Sequence, residues 1–481
     1  MRVSSAIKTA TAALFLGQTV QSLAVSTTRE VAVQRDEILK GPHIHLESRD
    51  KRADPGPSPY NDSQPIPQAN RHLQIEIQNL RNRSINAYIG GGMKTVNGTE
   101  QVMLRTDTGQ YFLLKNVGAN DPNVPTPVPS TVPLNISIPA NATKNVTLPD
   151  YLLHGRVWIA EGHLEFRVYP NGAFSEPSGA NPSLMEYNVK WGFVELNHDA
   201  GGIIINLSFV DWVSLSLGMT LTSLASGGTN TASVRGLEPG AMEKICDGLN
   251  KQANLNDALG QHDWDKLCIY SKENTLVRVI SPNIDASMHR VNSTLVDYYK
   301  DYVDKAWQEY TERDLTLNLQ GDADGLPLLT PGDGIATVCR VNNGTRALTC
   351  DKAPGHSYAK PTTSDIWGCN SGPFVVGAIN GSSNSLMHSR IIPRLCAAFT
   401  RSTLLLSNGS VQPFYNESQY YTNDVTNHYS RLVHKYLDQG KGYAFSYDDV
   451  NPEGIEHNAA GVLAATLPTK VHIEVKGDTG N

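Results

Sequence analysis

From about His72 to Arg235, apolar residues recur at every second position in short runs, which restricts the first half of the chain to β structure. LQIEIQNL, GQYFLLKNV and HLEFRVYPNG alternate in this way, and Gly, Pro and Asn separate them. Such runs hide one face and wet the other, so an antiparallel sandwich or barrel is expected. VPTPVPSTVP, residues 124–133, lacks the donors of a central strand and reads as a loop or edge segment. From about Gly236 the texture changes, and PGAMEKICDGLNKQANL has a helical composition. The longest helix is expected over Ser293–Tyr310, with Asn292 as its cap. Leu295, Tyr299, Tyr302, Ala306 and Tyr310 fall near one face of it. LTLNLQGD returns to a strand. Two more helices are expected, one starting near Pro393 and one from Asn427, the latter ending at Gly440. GYAFSYDDV reads as a strand ending in acids. The fold class is α+β, with β dominant at the start.

Within the β half, WGFVELNHDAGGIIINLSFVDWV, residues 191–213, reads as two short strands carrying one carboxylate each, Glu195 and Asp211. Paired carboxyl groups beside aromatic rings suit glycoside hydrolysis. One group protonates the leaving oxygen while the other activates water or attacks the sugar. Trp191 and Trp212 flank the pair and offer flat apolar faces to sugar C–H groups, although tryptophans pack in cores equally often. Trp158, Trp307 and Trp367 read as core. The spacing raises a difficulty. A tight hairpin through Asp199–Gly202 pairs Glu195 near Asn206 and leaves Asp211 about 17 Å further along, at roughly 3.4 Å per residue. The strands must therefore diverge, curl or be offset by a bulge. By parity Asp211 also shares a face with Ile203, Ile205, Leu207 and Phe209, so a structural carboxylate at a strand end is the alternative.

The termini bear on where the chain works. Residues 1–24 have the plan of a signal peptide: Arg2 and Lys8, an apolar stretch from Ala10 to Val20, then Ser22-Leu23-Ala24. That stretch is too short to span a bilayer. Residues 25–52 read as a propeptide ending at Lys51-Arg52, and 53–70 as a proline-rich extended segment. The chain is thus expected to be secreted, with no membrane partner. The net charge of −7 is mild and no basic stripe offers a nucleic-acid footprint, so a neutral polymer suits the surface.

The six cysteines are even in number and all lie beyond the expected propeptide, which implies disulfides with fifteen possible connectivities. Local pattern favours Cys339 with Cys350 across the Asn-Gly turn of RVNNGTRALT, and Cys246 with Cys268; Cys369 and Cys396 then remain. No metal is expected: the cysteines lack ligand spacing, and His154, His198, His428 and His434 form no cluster. GDADG, with Asp322 and Asp324, has Pro327 where a calcium loop needs Gly. Glycosylation sequons are dense, but Asn206 lies inside a strand beside the proposed site and is not expected to carry a glycan.

Five ordered blocks resemble glycoside hydrolase family 64, the thaumatin-like endo-β-1,3-glucanases. They are HGRVWIAEGHLEF, WGFVELN with NLSFVDWVSLSLGM, DIWGCNSGPF, RLCAAFTRSTLL and NHYSRLVHKYLDQGKGYAFSYDDV. The resemblance implies a thaumatin-like β domain and a mixed α/β domain framing a wide groove. Residues 71–235 and 331–481 would build the first and 236–330 would be inserted. It also implies inverting chemistry on β-1,3-glucan without a cofactor, with Glu195 of the WxFxE motif as general acid and Asp211 of NxSxVD as general base. Asp448 and Asp449 lie in a family motif and are candidates to hydrogen-bond glucose hydroxyls, or else to cap a turn. The sequence departs from the family at Leu196-Asn197, where Phe-Thr is usual, and at Thr400, where Asn is usual. Asn197 can bond a sugar as Thr does. A single copy of the chain is expected to suffice. The rival is a thaumatin-like β-glucan-binding cell-wall protein without catalysis.

Overall fold

Along Leu73–Asn79 the alternation is read out directly: Leu73, Ile75, Ile77 and Asn79 point inward and the residues between them are half-exposed. The computed structural model describes residues 71–477 apart from 97, 226, 257–259, 289–292, 320–335, 376–385 and 453–458. The expected signal peptide, propeptide and extended segment, the Asn292 cap and the GDADG turn lie outside the described residues.

Two large sheets dominate. One has the order Gly228–Val234, Leu217–Ala225, Pro468–Val475, Leu73–Asn79, Thr143–Leu148. Its first and last strands in sequence, Leu73–Asn79 and Pro468–Val475, run parallel, and its other pairs are antiparallel. The other has the order Leu463–Ala465, Gly202–Leu207, Trp191–Asp199, Leu152–Ala160, Ile85–Thr95, Gly98–Leu104, Tyr111–Leu113. Leu152–Ala160 at its centre is buried at all positions but His154, as a strand covered on both faces must be. Ile75, Ile77, Val471 and Ile473 of one sheet and Val157, Ile159, Val194 and Ile205 of the other belong to a single apolar core.

The remaining elements are helices and small sheets. Strands Leu315–Asn318, Ala336–Val341, Leu348–Cys350 and Val411–Gln412 form a four-stranded sheet of their own. Among the described residues beyond 331, the strands Leu463–Ala465 and Pro468–Val475 pair with the two large sheets. The expected disulfides form: Cys246–Cys268, Cys339–Cys350 and Cys369–Cys396, with Cα separations of 5.7, 4.0 and 5.8 Å. Among the described residues, no helix is long and apolar enough to cross a membrane.

Several local expectations need correction. The helix expected over Ser293–Tyr310 spans Lys300–Glu312, and it is shorter than the helices Ala241–Asn256 and Leu386–Thr400. Asp263 bonds the Thr294 amide at 2.7 Å, and turns occupy the residues between. Tyr302, Ala306 and Tyr310 are nonetheless buried as its apolar face implies. Pro393 lies inside the helix Leu386–Thr400, which starts a full two turns earlier than the proline suggested. GYAFSYDDV is a series of turns and not a strand, because Asp448 accepts the Ala444 amide at 2.8 Å and folds the segment back on itself. The helix His428–Tyr436 does start as expected, since the Asn427 side chain accepts from the Ser430 amide at 3.0 Å, but it ends with Leu437 as its C-cap and not at Gly440.

Candidate active site

Three neighbouring strands place Arg156, Glu195 and Asn206 in one row, since Glu195 stands opposite Asn206 on one side and Arg156 on the other. Directly opposed residues share a face with Cβ atoms about 4.5–5.5 Å apart, so three polar side chains meet there. Arg156 Nε and Nη2 donate to Glu195 Oε1 at 3.2 and 2.9 Å. Asn206 Nδ2 donates to Glu195 Oε2 at 3.0 Å. Both carboxylate oxygens are therefore held, and Glu195 is only 6% exposed. The Arg156 guanidinium lies over the Phe193 ring, 4.5 Å from its centroid. Its Nη1 forms an ion pair with Glu176, which follows the short strand Phe174–Ser175 of a separate sheet.

The hairpin register is the expected one, Asp199 opposite Gly202. Gly202 adopts φ +127°, and a Cβ there would run into the Ala465 carbonyl, so the turn and the crossing strand both require glycine. What brings Asp211 back is a bend. The strand ends at Leu207, where the Tyr443 amide donates to the Leu207 carbonyl at 3.1 Å. The Phe209 amide in turn donates to the Tyr443 carbonyl at 2.8 Å. This incoming segment takes up the backbone bonds that a longer hairpin would have used. The chain bends at Val210–Asp211, and Trp212–Val213 joins Leu276–Ile280 in another sheet. Parity along one straight strand thus ceases to govern Asp211.

Asp211 is 9% exposed, and its Oδ1 has no hydrogen-bond partner within the protein. Burial pushes its carboxyl up to about 6; Arg156 opposes this, while the charges of Glu195 and Glu176 add to it. Glu176 is also raised, first by burial, with Arg156 opposing and Glu195 adding. Glu195, Asp211 and Glu176 are therefore within electrostatic reach of one another around one guanidinium. Such a cluster exchanges protons as a unit, the arrangement that acid–base chemistry needs.

Other expected site residues fare differently. Trp191 is 1% exposed, donates from Nε1 to the Glu186 carbonyl at 3.2 Å and meets Trp212 edge-on at 4.6 Å. Trp212 is buried as well and donates to the Trp191 carbonyl. Both rings are core supports beneath the site and not sugar platforms. Asp448 is fully buried, and both its oxygens are taken by Arg401, His434 and the Ala444 amide, so it is structural. Asp449 differs from its neighbour: it is half-buried, its Oδ1 lacks a protein partner, and burial raises it to about 6 against the pull of Arg394. Asn197 accepts from the His154 amide at 3.1 Å and donates to Asp199, where the pairing with Leu152–Ala160 slips. Among the described residues no group of three or more His, Cys, Asp or Glu could hold a metal ion.

The family model for beta-1,3-glucanases of glycoside hydrolase family 64 matches residues 71–475. The chain belongs to glycoside hydrolase family 64. Glucan endo-1,3-beta-glucosidases of Cellulosimicrobium cellulans and of Arthrobacter sp. (strain YCWD3) are each 25% identical to it over 317 residues. The match covers 66% of this chain and 52% of theirs, so the chain spans about half the length of these curated relatives. A solved laminaripentaose-producing beta-1,3-glucanase in complex with laminaritetraose superposes with a TM-score of 0.67 at 23% identity, over 85% of this chain and 99% of that one. The family 64 domain from Clostridium beijerinckii gives 0.58 at 18% identity, over 84% and 98%. These two structures establish a shared fold.

In this member of family 64, Arg156, Glu176, Asn206 and Tyr443 were not anticipated as site residues. Arg156 left a trace, as the single cation in the apolar run RVWIA. Asn206 left one too, as the polar residue of IIINLSF opposite Glu195. Glu176 and Tyr443 arrive from distant segments and left none. Asn206 is 1% exposed. Peptide mass spectrometry is therefore expected to find it unglycosylated, whereas the exposed sequons at Asn82, Asn135, Asn141, Asn145, Asn343 and Asn408 are free to accept glycans.

Proposed function

We propose that this protein is a secreted endo-β-1,3-glucanase that cleaves its polymer with inversion and releases short oligosaccharides. The observation that carries the proposal is the convergence of Glu195 and Asp211, from either side of the bend at Val210, around Arg156 in a chain of family 64. Glu195 serves as general acid to the glycosidic oxygen. Asp211 takes a proton from the water that attacks the anomeric carbon. Its bare Oδ1 suits it to hold that water. Asn197 and Asp449 are the proposed contacts to glucose hydroxyls. A thaumatin-like form of the two-sheet part, with a wide groove beside it, belongs to the same proposal, as does action by a single copy. The names of the curated relatives and the laminaritetraose complex support this choice of substrate.

Proton NMR of the protein with linear β-1,3-glucan tests the core of the proposal. Fresh α-anomer, appearing before mutarotation, is the expected result; fresh β-anomer means retention, and no new reducing ends means a binder.

One observation favours exchanged roles. Arg156 and Asn206 both donate to the Glu195 carboxyl group, while Asp211 is the carboxyl raised to about 6. A leaving group that needs no protonation separates the two readings. With a 2,4-dinitrophenyl β-laminarioligoside, the variant lacking the acid regains turnover and the variant lacking the base does not. Glu195→Gln is expected to be the rescued one and Asp211→Asn the unrescued one. The pH profile of kcat at saturating glucan adds the order of protonation. Asp211 must lose its proton to act as base. With Asp211 as base, kcat is therefore expected to rise with pH through about 6.

A further inference from the structure

The buried Glu195 and Asp211 and the half-buried Glu176 surround one buried guanidinium, a cluster that cannot be fully ionised at low cost. The proposed mechanism requires a proton on Glu195 when glucan binds. A general acid pinned by arginine is a poor acid reservoir, because the pairing favours the carboxylate. In the ligand-free geometry Arg156 divides its donors: Nε and Nη2 go to Glu195, and Nη1 goes to Glu176. Glu176 reaches the guanidinium from its own short sheet, outside the one that carries Arg156, Glu195 and Asn206. The strand has already ended at Ser175, and Pro177 follows Glu176 in the chain. Two acceptors from different sheets thus compete for one cation.

We infer that Glu176 is a positioning residue that draws Arg156 off Glu195 when glucan occupies the site, so that Glu195 takes up the proton it donates. This rests on the reading of Glu195 as general acid. The step is a transfer of ion pairing. The Arg156 bonds to Glu195 Oε1 break, the guanidinium completes its pairing with Glu176, and Glu195 gains a proton from solvent. Burial raises the Glu176 carboxyl and Arg156 opposes that, so completing this pair favours its carboxylate. Other groups facing the cluster keep its charge balance. The Tyr429 hydroxyl, from the helix His428–Tyr436, is raised first by burial and then by Asp211. The Tyr443 hydroxyl is raised by burial, then by Asp449, Asp448 and Glu195. Both therefore stay neutral, leaving Arg156 as the nearby cation that can be reassigned.

The test compares the full-length wild type with Glu176→Gln, Glu176→Asp and Glu195→Gln on linear glucan and on the 2,4-dinitrophenyl substrate. Without the Glu176 carboxylate, Arg156 stays on Glu195 and the acid weakens its hold on the proton. The descending limb of kcat on glucan is expected to move down by about one pH unit or more, and kcat at pH 7 to fall about tenfold. On the dinitrophenyl substrate, which needs no acid, kcat is expected to stay within about twofold of wild type. Glu176→Asp retains the carboxylate and is expected to restore the limb. Equal losses on both substrates with unmoved limbs, or no change on either, would overturn the inference and leave Glu176 a packing residue. If Glu195→Gln is not rescued by the activated substrate, the assignment of the acid itself fails. If it is rescued while the Glu176→Gln limbs stay in place, only the role of Glu176 fails.

Discussion

Glu195→Gln is expected to reduce hydrolysis of linear β-1,3-glucan about 10²–10⁴-fold while binding to the polymer persists, because the change removes proton donation and little else. Glutamine has the same shape, and its carbonyl can accept the Arg156 bonds now made to Oε1. The other side of the group is adjustable too. Asn206 donates to Oε2 from Nδ2, and its own Oδ1 has no partner, so a flip of that amide presents an acceptor to the new NH₂. The fold and the glucan contacts have no reason to fail. Initial rates of reducing-end release, measured beside polymer pull-down, check the prediction. Loss of both together would mark Glu195 as structural. Unchanged release would remove Glu195 from the mechanism, and no release by the wild type would favour the binding-protein reading.

Local pattern made much of this molecule legible, and topology hid the rest. Period-two alternation announced strands such as Leu73–Asn79, and the Asp199–Gly202 turn set the register that pairs Glu195 with Asn206. The distance problem at Asp211 was visible in the sequence, because a straight hairpin could not satisfy it. Its solution was not visible, because the bend depends on Tyr443, more than two hundred residues away, bonding to Leu207 and Phe209. Trp191 and Trp212 misled for a related reason. A tryptophan beside a carboxylate looks the same in sequence whether it faces solvent or core. Arg278, from the strand Leu276–Ile280 that pairs with Trp212–Val213, lies over both rings and helps to cover them. Asp448 and Asp449 are adjacent and chemically identical, yet one is saturated by Arg401 and His434 and the other has a free oxygen. Burial is a property of the whole fold, and a dipeptide does not carry it.

The saturated member of that pair supports the second large expectation. Asp448→Asn is expected to destabilise the protein by about 3–5 kcal/mol, the usual cost of breaking a buried ion pair from one side. Asp448 accepts from Arg401 Nη2 at 3.1 Å, from His434 Nε2 at 2.8 Å and from the Ala444 amide at 2.8 Å. An asparagine must turn its NH₂ toward at least one of these donors, leaving Arg401 buried without its counter-charge. The same network predicts how the loss depends on pH. Although burial alone would raise it, the Asp448 carboxyl is held below its ordinary 3.8 by His434 and Arg401. Its contribution is thus present above that ordinary value and is lost as pH falls through the lower folded one. His434 runs the other way. Burial works against its charge, but Asp448 and the Gly440 carbonyl raise it above 6.5. Its contribution is full below 6.5 and is lost as pH rises through the folded value. The stability gap between wild type and Asp448→Asn is therefore expected to be widest between the carboxylate range and about pH 6.5, and to narrow on either side. Because Arg401 stays charged, part of the gap should survive at alkaline pH. Denaturant unfolding of both proteins across that range measures it. A loss below about 1 kcal/mol, or a gap independent of pH, would show that Asp448 is not the electrostatic anchor of this segment.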